Sequence, residues 1–151
     1  MNEINTARLF ADFPEFFKHR DDPRSSLMCF GFECGDGWYD LIYSLCEAVE
    51  RELQAIPEYA QQSFYVVQVK EKFGGLRFYT THNGSEEIQS LIIMAEAVSY
   101  RTCEECGMPG VLCTTNSDGG YGWVKTLCPI CSAESAKYYL YIRPRAPDET
   151  P

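Results

Sequence analysis

The chain has 151 residues, of which 45% are hydrophobic and 14% aromatic, enough for one ordinary domain with a core of its own. The formal net charge of −9 and the lack of a basic run argue against the basic face that most nucleic-acid-binding proteins carry. No apolar run approaches the ~20 residues of a membrane span, and the first residues lack the apolar core of a signal peptide, so we expect a cytoplasmic protein without a membrane partner.

The N-terminal part of the chain predicts helices. Apolar residues in 3–19 recur at near-helical spacing, and Pro14 is expected to begin the second of two short helices. Asp36 is expected to cap a longer helix over about 38–56, whose apolar residues recur at helical spacing and which Pro57 ends.

The middle of the chain predicts a β-hairpin followed by a second long helix. β-branched and aromatic residues are frequent in 64–70 and again in 76–80, with two glycines between these segments. Ser85 is expected to cap a helix over 86 to about 100, whose broad apolar stripe favours a central position. These elements predict an α+β fold with two main helices on a short antiparallel sheet.

Four cysteines in two matched pairs are the most informative feature of the chain. Cys103-Glu-Glu-Cys106 and Cys128-Pro-Ile-Cys131 are CxxC turns about twenty residues apart, a spacing typical of zinc ribbons. Each turn can direct two thiolates toward one ion, so we predict a closed, four-sulfur site for one structural Zn²⁺. Disulfides or a redox pair are the alternatives, and Cys113 is an alternative ligand within the same loop.

The cysteine pairs also suggest how the chain is organised. We predict an α+β core over 1–100, a C-terminal zinc ribbon over 101–142 packed on that core, and a Pro-rich, disordered tail over 143–151. Within the zinc ribbon, 123–127 is predicted to be a strand that leads to the second cysteine pair, and 132–141 a helix.

Two further clusters are weaker candidates for contact with a partner. Glu33 and Asp36 lie close to Trp38 in the sequence, and with Asp40 they could bind a divalent metal as in a nuclease. Alternatively, these carboxylates complement the positive end of the following helix.

The second cluster is the basic segment of the hairpin, which contains Lys70, Lys72 and Arg77 around Gly74-Gly75. It could bind a phosphate or a partner, or it could be an exposed, solubilising hairpin tip.

Aromatic residues beside the second cysteine pair also allow two interpretations. Tyr121 and Trp123 could stack on bases, or they could pack the small core that a metal ion alone cannot fill. We expect the packing role.

Three sequence blocks together resemble a family of small proteins from tailed phages and prophages. The blocks are GFECGDGWYDLI at 31–42, QVKEKFGGLRFY at 68–79, and the pair RTCEECG at 101–107 and GWVKTLC at 122–128. The resemblance covers about residues 14–131 and implies an accessory role in an infected bacterium, without an established enzymatic activity. It also implies that the residues matching the paired-cysteine motif are zinc ligands.

The function that these observations favour is that of a non-enzymatic, zinc-binding phage or prophage protein that binds a host protein, such as a defence or regulatory factor. Residues 1–60 contain twelve Asp and Glu against five Lys and Arg, which could form an acidic docking surface or only a solvated one. The alternatives are a nucleic-acid-binding regulator that uses the zinc ribbon and a metal-dependent nuclease.

Overall fold

The computed structural model describes residues 1–116 and 122–135, together with the backbone of 139–140. Within these residues it has the predicted α+β fold. The helices are α1 (Glu3–Asp12), α2 (Tyr39–Leu53), α3 (Glu58–Ser63), α4 (Glu86–Ser99) and α5 (Pro129–Ser135). The strands are β1 (Val66–Lys72), β2 (Gly75–Thr80), β3 (Val111–Thr114), β4 (Val124–Leu127) and β5 (Tyr139–Leu140). None of the helices in these ranges has the length and apolar character of a membrane span.

Two small antiparallel sheets organise the chain. Strands β1 and β2 form the predicted hairpin, in which Lys72 pairs with Gly75, so Phe73 and Gly74 make a two-residue turn. The second sheet has the strand order β4-β3-β5. Helices α2 and α4 pack against each other, and α4 also packs on β2. The hairpin and the two main helices therefore enclose the principal core.

The principal core is rich in aromatic side chains. It includes ring contacts such as the edge-to-face pair Phe17 and Phe32, whose centroids lie 5.3 Å apart. Its largest fully buried side chains are Trp38, Phe17, Phe64, Leu9, Met28, Ile42, Leu76 and Ile88. A second, smaller cluster contains Cys103, Cys113, Leu127 and Cys128. That cluster has few aliphatic side chains of its own.

The first two predicted helix boundaries need correction. Residues 14–21 form consecutive turns instead of a second helix, and the carbonyl of Phe16 accepts a hydrogen bond of 2.8 Å from the backbone N–H of Val66 at the start of β1. Asp36 does not cap α2, because a short three-ten turn, Asp36–Trp38, precedes that helix. The Asp36 carboxylate instead accepts hydrogen bonds from the backbone N–H of Asn2 and the side chain of Asn5.

Helix α4 begins as predicted, since the Ser85 hydroxyl accepts a hydrogen bond from the backbone N–H of Ile88. Its predicted central position is wrong, however, because Ile93, Met94 and Val98 are exposed. Only one face of α4 packs on α2 and the hairpin. Helix α3 was not predicted, because its six residues are too few to show a periodic pattern.

The C-terminal part also differs from expectation in places. Strand β4 is confirmed, whereas the four-residue strand β3 was not predicted. The predicted helix over 132–141 is wrong in its extent, because α5 covers Pro129–Ser135 and residues 139–140 belong to a strand. The predicted disordered tail lies outside the described residues.

Candidate metal centre

The first CxxC turn is shaped by its own backbone hydrogen bonds. The N–H of Cys103 donates to the carbonyl of Met108 over 2.7 Å, and the N–H of Gly107 donates to the carbonyl of Cys103 over 2.9 Å. Gly107 has a φ of 78°, which glycine adopts at little cost. The chain therefore reverses tightly, and both sulfurs of the turn can lie on the same side.

The second CxxC turn is positioned by β4, which ends one residue before Cys128, while Cys131 lies in α5. The backbone N–H of Cys131 lies 3.4 Å from the Sγ atom of Cys128 and donates to it. Pairing of β3 with β4 holds this strand beside the segment that follows the first turn. Two local turns and one strand pair thus bring the cysteine pairs together.

The four predicted ligands form one cluster. The Sγ atoms of Cys103, Cys106, Cys128 and Cys131 all lie within 4.8 Å of one another, and those of Cys106 and Cys128 are 3.6 Å apart. Sulfurs at ~2.3 Å from a tetrahedral ion would lie about 3.8 Å from each other. The four-sulfur donor set and its dimensions therefore fit a metal ion.

Full ionisation of these four thiols requires a bound cation. The N–H of Cys131 lowers the pKa of the Cys128 thiol to about 7, because its hydrogen bond stabilises the thiolate. Burial and the adjacent thiols raise the pKa of Cys131. Four thiolates this close repel one another, so a bound cation is needed to keep them all ionised.

Cys113, the alternative ligand, lies outside the cluster. It is buried on β3, and its sulfur contacts the carbonyl of Val111 at 3.4 Å. Its neighbours in the second core are apolar or cysteine side chains, which gives it the role of a small buried hydrophobe.

A loop of the principal core docks directly on the first CxxC turn. The backbone N–H of Gly37 donates to the carbonyl of Glu104, and the indole N–H of Trp38 donates to the carbonyl of Thr102, each over 2.8 Å. A Cβ atom at Gly37 would collide with the carbonyl oxygen of Cys103, and one at Gly35 would collide with that of Glu104. Both glycines are thus required by the close approach of two backbones.

Glu104, between the first two cysteines, completes this junction and was not identified from the sequence. Only 2% of its surface is exposed, and its carboxylate accepts the backbone N–H of Gly35 over 3.0 Å. Its other oxygen lies 3.5 Å from the ammonium of Lys125. Burial raises the pKa of the Glu104 carboxyl, while Lys125 opposes that shift. Nothing in the sequence indicates that this charged residue inside a CxxC motif is buried.

The acidic cluster predicted around Trp38 does not form a site. Trp38 is fully buried, so its proposed contact with a partner is wrong. The Glu33 carboxylate accepts a hydrogen bond from the side chain of Gln68 over 2.7 Å, and Asp36 is bonded to the start of α1. Across residues 1–116 and 122–135, the four cysteines form the one group of three or more potential metal ligands. Glu33, Asp36 and Asp40 are therefore not brought together.

The hairpin tip is neither a phosphate loop nor a freely exposed turn. The backbone N–H of Gly74 donates to the carboxylate of Glu71, and its carbonyl accepts from the hydroxyl of Thr126, both over 2.6 Å. A Cβ atom at Gly74 would collide with Leu112, and one at Gly75 with the ring of Tyr100. The second sheet therefore covers Gly74, and Tyr100 at the end of α4 covers Gly75.

The three basic residues of the hairpin have different surroundings. Arg77 lies 3.8 Å from the carboxylate of Glu96 and donates to the hydroxyl of Tyr100. The ammonium of Lys70 lies 5.7 Å from the ring centroid of Tyr79. Lys72 is exposed and extends beside the ring of Phe73.

Trp123 does not pack the small core as expected, because 68% of its surface is exposed. It lines a mainly apolar cleft of about 260 Å³ together with Phe73 and Val124, and Glu71, Lys72 and Gly122 complete the lining. Tyr121 lies outside the described residues.

Comparison of this chain with protein-family models, curated proteins and solved structures finds no match. The resemblance to phage and prophage proteins therefore stays a prediction.

Proposed function

We propose that the chain is a non-enzymatic phage or prophage accessory protein, stabilised by one Zn²⁺, that acts in the bacterial cytoplasm by binding a host protein. The observation that carries this proposal is the cluster of four cysteine sulfurs within 4.8 Å of one another. Four thiolates would fill the coordination sphere of zinc and leave no open position for water or a substrate, which is typical of a structural site. The free energy of zinc binding there would stabilise the folded protein.

Binding of a protein partner is supported by large apolar side chains on the surface where the hairpin tip meets the start of β4. Phe73 and Trp123 are each about two-thirds exposed and line the same cleft. Aromatic residues are enriched in the energetically dominant parts of protein interfaces. Because isolated exposed hydrophobes are common, it is their grouping in one cleft that matters.

Two measurements test the proposal. Elemental analysis of the purified, reduced protein should find one zinc ion per chain, and a Cys128→Ser variant should contain less. Zinc-loaded, tagged protein should recover the same protein repeatedly from a bacterial host lysate at low salt, and the tag alone should not. The absence of bound transition metal, or repeated recovery of no partner, would contradict the proposal.

A nucleic-acid-binding regulator is the second candidate, because exposed Trp123 beside Lys72 could stack on a base while the ammonium contacts phosphate. The net charge of −9 opposes this function. A low-salt gel shift with single-stranded DNA and RNA tests it, and no shift would exclude it.

A further inference from the structure

The turn at the tip of the hairpin has an unusual residue in its first position. Phe73 and Gly74 form a two-residue connection in which both φ angles are positive, 54° and 77°. Turns of this kind favour Asn or Asp followed by Gly, because most other side chains are strained at positive φ. A bulky residue in this conformation is a genuine outlier, and such outliers cluster at functional sites.

Burial of the Phe73 ring in the core does not offset the strain of this backbone conformation. The surface of Phe73 is 70% exposed, so its ring gains little from burial in this chain. The following residue is fixed, because Gly74 is bonded to Thr126 and packed against Leu112. The strained turn therefore holds an aromatic ring in solvent at a defined place.

A second exposed aromatic residue faces the same space. Trp123 immediately precedes β4, and its neighbour Val124 also lines the cleft next to Phe73. The cleft volume of about 260 Å³ is below the ~300–1,000 Å³ typical of small-molecule sites. It suits a large side chain inserted by another protein better than a separate small ligand.

The charge of Lys72 indicates which group of the partner would lie beside the inserted side chain. The ammonium of Lys72 is 5.5 Å from the centroid of the Phe73 ring and is exposed, and it forms no ion pair within the described part of the chain. The carboxylate of Glu71, which also lines the cleft, already accepts the N–H of Gly74. A ligand carboxylate would thus find a free cation next to the two rings.

We infer that the cleft binds a segment of a partner protein in which an aromatic or large aliphatic side chain adjoins an Asp or Glu. The apolar side chain lies between Phe73 and Trp123, and the carboxylate pairs with Lys72. This inference rests on the proposed binding function and identifies its surface. A peptide is favoured over a nucleic acid because the net charge of −9 repels a long polyanion.

The test is a selection from a random-peptide display library on zinc-loaded protein, followed by binding measurements with the synthesised consensus peptide. Wild-type protein should enrich aromatic or leucine residues next to Asp or Glu. Phe73→Asn, Trp123→Ser and Lys72→Ala should each weaken binding of that peptide, the two aromatic replacements by at least about tenfold. Tyr59→Ser, which removes an aromatic ring 75% exposed on α3, is the matched control and should bind as wild type does.

Phe73→Asn separates binding from folding. Asn is favoured in this turn, so the melting temperature should stay the same or rise while peptide binding is lost. The inference would be overturned if the library gave no enriched peptide or a basic consensus, or if Phe73→Asn bound the consensus peptide as well as wild type does. It would also be overturned if poly(dT) saturated the cleft, as followed through Trp123 fluorescence. Equal recovery of a host protein by wild-type and Phe73→Asn bait would contradict the assignment of the cleft as the binding surface but not the proposed binding function. Recovery of no host protein by either bait would count against that function itself.

Discussion

The backbone N–H of Gly37 donates a hydrogen bond of 2.8 Å to the carbonyl of Glu104, inside the first CxxC turn. This bond joins the three-ten turn before α2 to the candidate metal centre, and the nearby bond from Trp38 to Thr102 makes a second connection. Because these bonds connect the core to the candidate metal centre, a structural change in one should alter the structure of the other.

Metal removal should therefore affect the buried Trp38 as well as the cysteine cluster. We expect a chelator to shift its fluorescence to the red and to lower the melting temperature by about 10 °C or more, since structural zinc contributes several kcal/mol. The measurement uses a Trp123→Phe variant, in which Trp38 is the sole tryptophan. Added zinc should reverse both changes, and an unchanged spectrum in metal-free protein would contradict the predicted coupling.

The ligand set can be tested one cysteine at a time. Cys128→Ser should lose most bound metal, whereas Cys113→Ser should keep one ion per chain, because the sulfur of Cys113 lies outside the four-sulfur cluster. Metal content by elemental analysis is the measurement. Cys29→Ser, at an exposed position, serves as the control. Loss of metal from Cys113→Ser as complete as that from Cys128→Ser would show that the assigned ligand set is wrong.

Gly37→Ala should destabilise the protein by roughly 3 kcal/mol, because the new Cβ atom would collide with the carbonyl of Cys103. Urea unfolding of the zinc-loaded protein measures this difference. Ser44→Ala, an exposed change on α2, should stay within about 0.5 kcal/mol of wild type. Equal stability of the two variants would mean that the core loop does not dock on the CxxC turn as described.

Asp36 should make stability depend on pH at the acid end. The hydrogen bond from the backbone N–H of Asn2 lowers the pKa of the Asp36 carboxyl below its ordinary value, so the folded state favours the ionised form. The stabilisation is complete above the unfolded pKa of about 3.9 and is lost as the pH falls through the folded pKa. The stability difference between wild type and Asp36→Asn should therefore shrink below about pH 4, and a difference that stays constant from pH 6 to about pH 3 would rule this out.

Features encoded over a short stretch of sequence were the ones that could be predicted. The cluster of four cysteines follows from the spacing within each CxxC turn, and α4 follows from its capping serine and its apolar stripe. The hairpin followed from two β-rich segments separated by glycines.

Features that depend on distant contacts could not be predicted. Nothing local indicates that Gly37 meets Glu104, or that Glu104 is buried, because these facts depend on the packing of two separate segments. Residues 14–19 have a helical pattern but form turns, and the carbonyl of Phe16 accepts a hydrogen bond from the backbone N–H of Val66 at the start of β1. Trp123 is expected to pack the small core, but the sequence alone does not report which side of the segment before β4 is covered.

The bonds from Gly35, Gly37 and Trp38 also bear on how the cysteine-containing segment could be used by itself. A fragment that starts at residue 101 would leave the carbonyls of Thr102 and Glu104 without the donors Trp38 and Gly37. The Glu104 carboxylate would keep Lys125 but lose the backbone N–H of Gly35. Grafting that fragment onto an unrelated carrier would therefore transfer the four cysteines but not the loop that supports the first CxxC turn. Any transplanted version should include the glycine-tryptophan loop, supplied either in the same polypeptide or as a companion peptide.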